Sequence, residues 1–325
     1  MLKIVHLLDD FGMGGVVRAL GVFDEPELAR GASSDTVPIA RNAYVAPKLD
    51  ADVIITHFPA SWARIGFFWT LRLRNPKARL IHIEHSYTRS FEHHNVPNTN
   101  RFRMLLRLAL RHFDEIVCVS DGQRKWLTGA VGLEPGRCRT IHPWSGRQEL
   151  LAIPAPERRS GRPLRLAAYG RFSEVKNFAA LIDAVAKIGP SVELQLAGSG
   201  PDEADLHRAA QAASNITTYG PISDIGGFLK SADAVIVPSK WEAFGLVATE
   251  ARLAARPIIV GDIDGLPEQV GNAGLAAKCD SADDIMRAIE RFQTLPFDQM
   301  SHAARQEVSG MRGQIIGQWI ALLQS

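Results

Sequence analysis

Short apolar runs alternate with longer stretches of helical period along most of the chain. Lys3–Leu8 is the first run, ended by Asp9-Asp10 and a glycine-rich turn, Gly12-Met13-Gly14-Gly15. Asp52–His57, Arg79–His85 and Glu115–Ser120 are further runs, each followed by turn residues and a helix-period segment. Val/Ile-rich strands without polar alternation predict a parallel sheet covered on both faces. A stretch rich in Pro, Arg and Gly, Ile153–Pro163, then interrupts all periodicity and reads as a linker. The alternation restarts with a strand at Leu164–Tyr169 and a helix at Phe178–Ile188, whose Phe178, Leu181, Ile182, Val185 and Ile188 fall on one face. Strands follow at Val192–Ala197, Ala234–Pro238 and Pro257–Val260, with a helix around Ala204–Ala213. The pattern predicts two doubly wound α/β domains, Rossmann-like, with a ligand between the carboxyl ends of their strands. Their expected bounds are 1–152 and 164–302, with 153–163 as linker. A last helix over 303–325 carries Ile315, Ile316, Trp319, Ile320 and Leu323 at helical spacing. An apolar face of that kind needs a surface to cover, expected on the first domain.

Length and charge narrow the function classes. The chain has 325 residues, 46% hydrophobic and 22% charged, a soluble globular composition. Its net charge of +2 lacks the basic excess of a dedicated nucleic-acid binder. Cys118, Cys138 and Cys279 are too few and scattered for a disulfide framework or a four-ligand zinc site. A reduced, cytoplasmic setting is the expectation. No uninterrupted apolar stretch is long enough to span a bilayer, and the N-terminal run is too short for a signal peptide. The charge is uneven, however: residues 60–147 hold 15 basic groups against 6 acidic ones.

Four places carry candidate chemistry. Gly12, Gly14 and Gly15 let backbone approach a ligand where a strand gives way to a helix, though a plain tight turn would use the same residues. As a nicotinamide fingerprint the turn fails, because the third glycine of G-x-G-x-x-G falls at Val17. Arg171 and Lys176 lie on one strand-to-helix loop and suit a diphosphate, a planar fork beside a mobile point charge; two ordinary surface charges would look alike. Gly198-Ser199-Gly200 ends the following strand, at another carboxyl edge. In Pro238–Glu250, Glu242 precedes a helix opened by Phe244-Gly245-Leu246, whose free amides could hold phosphate. Glu250 leans back toward the helix start, and hydroxyls such as those of a ribose are the natural partner of a carboxylate placed there. Glu242 would then face the far end of the ligand. Both glutamates also fit a helix N-terminus through its dipole alone.

The ordered set Gly170-Arg171…Lys176-Asn177, Gly198-Ser-Gly200, Pro238-Ser-x-x-Glu242-x-Phe-Gly-Leu-x-x-x-Glu250-Ala and Gly265-Leu-Pro-Glu268 resembles glycosyltransferase family 4, the retaining nucleotide-sugar transferases of the GT-B fold. The resemblance is continuous over roughly 165–275. In the first half it rests on the Gly-x-Gly-Gly turn, His57 and His85. It implies two domains facing each other across a cleft, with Arg171 and Lys176 on the donor diphosphate. The Phe244, Gly245 and Leu246 backbone would assist them, alongside Gly14, Gly15 and Gly200, while Glu250 would hold the ribose. Glu242 and His85 would act at the donor sugar, with no metal or other cofactor required. Front-face attack, with the leaving phosphate accepting the acceptor's proton, is the mechanism it implies. Two departures stand out: Arg256 replaces the glycine usual before the Pro-Ile-Ile strand, and His142-Pro-Trp-Ser-Gly146 replaces a common Asn-Gly turn.

The expected activity is therefore transfer from a nucleotide-diphosphate-sugar, a UDP-sugar above all, to a lipid or lipid-linked saccharide of the bacterial envelope. A nucleotide-sugar epimerase and a non-catalytic nucleotide-sugar binder are the alternatives; the full Glu242…Glu250 pattern with Arg171 and Lys176 speaks against the first, and retention of Arg171, Lys176 and Glu242 against the second. The histidines between 57 and 94 are not expected to form a metal site, since alternation puts His82 and His85 on opposite faces and His93-His94 read as a polar loop. Arg103, Arg107 and Arg111 repeat at four-residue spacing near Trp62, Phe67, Phe68 and Trp69. That face suits an anionic membrane surface, so peripheral attachment at the inner face of the cytoplasmic membrane is expected. A helix covering a parallel sheet would show the same two faces.

Overall fold

The computed structural model describes residues 1–12, 14–158 and 161–325. Two compact units emerge, one of residues 1–146 and 312–325, the other of residues 147–311. In the first, strands β1 (Leu2–Leu8), β2 (Ala32–Pro38), β3 (Val53–Thr56), β4 (Arg79–Glu84), β5 (Glu115–Cys118) and β6 (Cys138–Thr140) form a parallel sheet of order β2-β1-β3-β4-β5-β6. The second holds β7 (Leu164–Arg171), β8 (Val192–Ser199), β9 (Ile216–Tyr219), β10 (Ala234–Val237), β11 (Ile258–Gly261) and β12 (Gly274–Ala277), parallel in the order β12-β11-β10-β7-β8-β9. The expected α/β class with two doubly wound parallel sheets is what the described residues build. In each sheet the winding reverses once, between β1 and β3 and between β7 and β10. At such a reversal the connections leave to opposite faces of the sheet, and the carboxyl edge there is where a ligand crevice is expected.

Each unit has its own core. Ile54, Phe67, Phe68, Leu80, Leu106 and Ile116 pack together in the first, Leu166, Leu181, Leu194, Ile236, Ile259 and Ile289 in the second. The helix Phe178–Ile188 forms over the residues its period predicts, capped by Asn177 in the left-handed region at φ 56°. Asn177 Nδ2 donates to the Cys279 carbonyl at 2.7 Å, which fixes that strained cap.

Three boundaries differ from the expectation. The division between units falls at Gly146–Arg147, ahead of 153–163. Much of the expected linker is tied to the second unit instead: Arg305 donates to the Ile153 carbonyl and Arg256 Nη1 to that of Pro154. Arg159 and Ser160 of that stretch lie outside the described residues. Arg256 itself is 1% exposed, and its guanidinium also donates to the carbonyls of Leu229, Lys230, Ala232 and Ala254. Burial pushes its pKa down to about 10, still a cation at neutral pH. The expected helix 303–325 is two helices, Phe297–Val308 and Met311–Gln324, broken at Ser309-Gly310 where helix propensity is poorest. Only the second belongs with the first unit. His93 and His94, read as loop, sit in a helix, Arg89–Asn95, that Thr88 caps by accepting from the Phe91 N–H.

Candidate functional site

In the second unit the crevice is built on glycines that bring two strand ends together. Gly170 pairs with Gly198 in register, at φ 143° and 152°. A Cβ on Gly198 would lie 1.9 Å from the Gly170 carbonyl oxygen, and one on Gly200 2.3 Å from that of Phe172, so no larger residue fits either place. Arg171 ends β7 with its side chain exposed. Lys176 reaches back across Gly170 and pairs with Glu242, which follows β10. Ser239 Oγ donates to the same Glu242 oxygen at 3.3 Å, and the Glu242 N–H donates to Asp264 at 3.1 Å. Lys240 pairs with Glu174 at 2.8 Å, closing a second bridge between the two loops. The helix Leu246–Leu253 starts from Gly245 at φ 88°, and Gln269 Nε2 donates to the carbonyls of Phe244 and Gly245 at 2.6 and 3.0 Å. Its side-chain oxygen accepts from Thr249 on the same helix, so one glutamine pins the helix start.

Glu250 lies under cover at the end of β7. It is fully buried, accepts from Tyr169 Oη at 2.7 Å, and has Arg147 Nε 3.7 Å from its other oxygen. The helix carrying it packs against β10 and β11 with nearly every residue covered, so the carboxylate turns to the end of β7 rather than to open crevice.

In the first unit, the Gly-x-Gly-Gly turn leads into a six-residue helix, Gly15–Leu20, with Gly14 as its N-cap. Met13 of that turn lies outside the described residues. Beside it Arg64, 4% exposed, pairs with Asp9 at 2.7 Å and covers the Phe58 ring at 4.2 Å. His85, just past β4, does not stand alone. His6 Nδ1 shares a hydrogen bond with His57 Nε2 at 2.8 Å, and His57 Nδ1 shares one with His85 Nε2 at 3.1 Å. This row crosses β1, β3 and β4, on either side of the reversal point. Burial pushes the His6 pKa down to about 3 and that of His85 down to about 4, the latter against the opposing pull of Glu84. Burial, with His6 and His85 adding to it, holds His57 well below the ordinary imidazole value. Glu84 stays ionised in a buried position: burial would raise it, but His82 and the N–H groups of Tyr87 and Ser86 more than offset that. A recess walled by Leu20, Phe23, Trp144 and Trp319 adjoins His57 and His85. Among the described residues no group of His, Cys, Asp or Glu is clustered to hold a metal ion.

The basic stripe on and after the helix Thr99–Leu110 lies at the surface, with Arg103 half-buried and Arg107 exposed, and two of its members have partners within the chain. Arg103 makes a bidentate pair with Glu92 at 2.5 and 3.0 Å, and Arg107 donates to the Val131 carbonyl at 3.0 Å. Arg111, past the helix end, keeps an exposed charge. The exposed apolar groups nearby are Trp62, Trp69, Leu73 and Met104, with the Arg101 guanidinium over Trp62 at 5.5 Å.

Two family descriptions match the sequence, "Glycosyltransferase Family 4" over residues 21–144 and "Glycosyl transferases group 1" over residues 152–308. The chain belongs to glycosyltransferase family 4. Similar curated proteins include the alpha-maltose-1-phosphate synthase of Mycolicibacterium smegmatis, 27% identical over 202 residues, which make up 54% of this chain and 51% of that one. Another is the D-inositol 3-phosphate glycosyltransferase of Mycobacterium marinum, 28% identical over 187 residues, 53% of this chain and 40% of that one. The chain thus spans about half the length, or less, of these curated relatives. Among solved structures, the Anabaena protein HepE in complex with UDP superposes over 100% of both chains at a TM-score of 0.79 and 16% identity. Sucrose-phosphate synthase from Thermosynechococcus elongatus covers 100% of this chain and 98% of its own, at 0.78 and 21%. At such identities the likeness is one of fold, the GT-B fold.

In this family 4 member the structure joins Lys176 to Glu242 and sets Arg171 at the same edge, whereas Glu250 is drawn off to Tyr169. Asp264, Gln269, Tyr169 and Arg147 are not marked by the sequence, since nothing in their spacing singles them out, whereas Ser239 belongs to the Pro238-Ser motif. His6 does carry a signal, as the one polar residue within the apolar stretch Ile4–Leu8.

Proposed function

We propose that the chain is a retaining glycosyltransferase that moves a sugar from a UDP-sugar to a saccharide or lipid-linked acceptor of the bacterial envelope. The observation that carries this reading is the Lys176–Glu242 pair, with Arg171 at the end of β7, on the carboxyl edge where the β7 and β10 loops meet. Two cations at one edge, only one of them neutralised, leave net positive charge for a diphosphate. A donor phosphate would compete with Glu242 for Lys176 and release the carboxylate toward the sugar. Arg171 makes no ion pair among the described residues and is available to the same diphosphate. HepE has been solved with UDP and with UDP-glucose, which supports a uridine donor for a chain of the same fold. A carboxylate has room for several donors, so Glu250 remains the group proposed for the ribose. Because it is fully covered, ribose binding there requires Arg147 to swing aside. His85 is proposed to meet a sugar hydroxyl. Exposed Trp62, Trp69, Leu73 and Met104 among basic groups support peripheral attachment to an anionic membrane.

The test is a panel of UDP-sugars scored for thermal stabilisation, hydrolysis and transfer, with the anomeric configuration of the product read by NMR. Expected are stabilisation by UDP and a product that keeps the donor's configuration. In Lys176→Ala, donor affinity or turnover drops about tenfold or more without unfolding. Glu242→Ala keeps UDP binding and loses turnover. An inverted product would overturn the retaining mechanism. An epimerised nucleotide-sugar, or binding without turnover for every acceptor class, would replace transfer by one of the alternatives.

A further inference from the structure

Three imidazoles in a hydrogen-bonded row raise a question of direction. Each neutral ring has one N–H and one bare nitrogen, so the row can carry its protons in only two ways. In one, the protons sit on His85 Nε2, His57 Nε2 and His6 Nε2. In the other, they sit on His6 Nδ1, His57 Nδ1 and His85 Nδ1, each ring donating to the next. The two ends of the row differ in surroundings. His6 is 1% exposed, packed 4.4 Å from the Phe23 ring, and its Nε2 is buried with no hydrogen-bond partner among the described residues. His85 is only half-buried, and its Nδ1 is the open end. The first arrangement would strand an N–H in the apolar interior, and buried orphan donors are the rarer defect. The second leaves a bare lone pair there and brings the N–H to the accessible end.

We propose that His6 and His57 are positioning residues that lock His85 as a neutral imidazole with its proton on Nδ1, a fixed hydrogen-bond donor for an uncharged substrate oxygen. This deepens the transferase reading and rests on it for the identity of that oxygen. A neutral donor suits a sugar hydroxyl, whereas an imidazolium at the same place would draw the diphosphate. The row does so without a carboxylate partner, the usual device for fixing a histidine tautomer. His57 is the link: its Nδ1–H donates to His85 Nε2 and keeps that nitrogen bare. His6 in turn donates to His57 Nε2 and keeps the link facing outward.

The experiment reads tautomers directly, by long-range proton–nitrogen NMR on the full chain with 15N-labelled histidine, in the absence of substrate, each ring assigned by its own variant. Expected in the unmodified protein is His85 protonated on Nδ1 and bare on Nε2, neutral at pH 6. In His57→Leu the His85 proton redistributes toward Nε2, and kcat falls roughly tenfold to a hundredfold with a smaller change in the donor KM. His57→Asn, whose side-chain amide can still donate to His85 Nε2, keeps the Nδ1 proton and recovers most of kcat. His85 protonated on Nε2 in the unmodified protein would overturn the proposal. So would a Leu variant that folds with an unchanged His85 tautomer, or one whose kcat is unchanged although the tautomer has moved. Should His57→Leu fail to fold, the spectrum of the unmodified protein and His57→Asn decide the direction by themselves. A protein inert toward every UDP-sugar would remove the transferase reading, and the spectra would still confirm or refute the lock.

Discussion

A buried neutral imidazole weakens a fold as soon as the solvent can protonate the unfolded chain. His6, His57 and His85 all have folded pKa values below the ordinary 6.5, with about 3 for His6 and about 4 for His85. Between pH 6.5 and 4 the unfolded state therefore binds more protons than the folded one. Stability then rises with pH across that window and falls as pH drops, by about 1.4 kcal/mol per unit for each ring fully in the window. Above pH 7 the contribution of these rings is flat. Urea midpoints measured at pH 7, 6 and 5 are expected to fall steeply, and His6→Phe, which sits against Phe23, is expected to shallow that slope by about a third. An identical slope in the variant would assign the uptake to other groups. The polar row was only partly legible beforehand. His57 and His85 ended apolar runs and drew notice, but a hydrogen bond between rings on separate strands depends on strand order, which no local pattern contains. The same holds for Glu250: the helical spacing placed it on the helix, while its direction was decided by Tyr169 from another strand.

Elements were legible in proportion to how deeply they are buried. β1, β3, β4, β5, β7, β8, β10 and β11 stand where continuous apolar runs predict strands. The weaker readings are at sheet edges. β2, Ala32–Pro38, is a polar strand with several exposed residues and has no apolar run to mark it. β6, β9 and β12 were not read at all, because short edge strands bury one face only and lack an apolar run. Helix charge was legible only in part for a related reason. Spacing at four residues defines a stripe, but Glu92, from elsewhere in the chain, neutralises Arg103, while Arg107 and Arg111 stay exposed. The face proposed for an anionic membrane therefore also takes in the helix Ile65–Arg74, with Trp69, Leu73 and Arg74 exposed, and Trp62, Arg101 and Met104. Flotation with vesicles containing phosphatidylglycerol is expected to recover the protein at low salt and lose it at high salt. Trp69→Ser with Leu73→Ser is expected to weaken flotation several-fold, and Arg103→Ser to act mainly through stability, since it unpairs buried Glu92. Flotation unchanged by the Trp69/Leu73 pair would remove that face as the attachment surface.

At the scale of the molecule, the chain leaves its first unit at Gly146 and comes back to it at Arg312, so that unit is completed by residues from the far end of the sequence. The returning helix, Met311–Gln324, is not ornamental to its fold. Ile315, Ile316, Trp319 and Leu322 are buried, and Trp319 lies 4.8 Å from the Phe23 ring, which in turn packs against His6. Arg312 forks onto Glu25 and Glu27, at 2.6 and 2.9 Å, and Arg79 donates to the Leu322 carbonyl at 2.5 Å. The apolar period of this helix was visible in the sequence; its start was not, because Ser309-Gly310 divides two helices that share one continuous pattern. Burial of a tryptophan dominates the energetics. Trp319→Ala is expected to cost about 3–5 kcal/mol, against at most about 1 kcal/mol for Arg312→Ala, whose partners are partly exposed. The loss belongs to the first unit alone. Denaturant unfolding of Trp319→Ala should therefore split into two transitions, an early one from the first unit and a later one near the unmodified midpoint. UDP should raise the later transition and leave the early one in place, because ligand stabilises only the unit that binds it. A single transition that moves as a whole would mean that the two units unfold as one cooperative body. A variant as stable as the unmodified chain would mean that this helix adds no more to the first unit than its exposed ion pairs do.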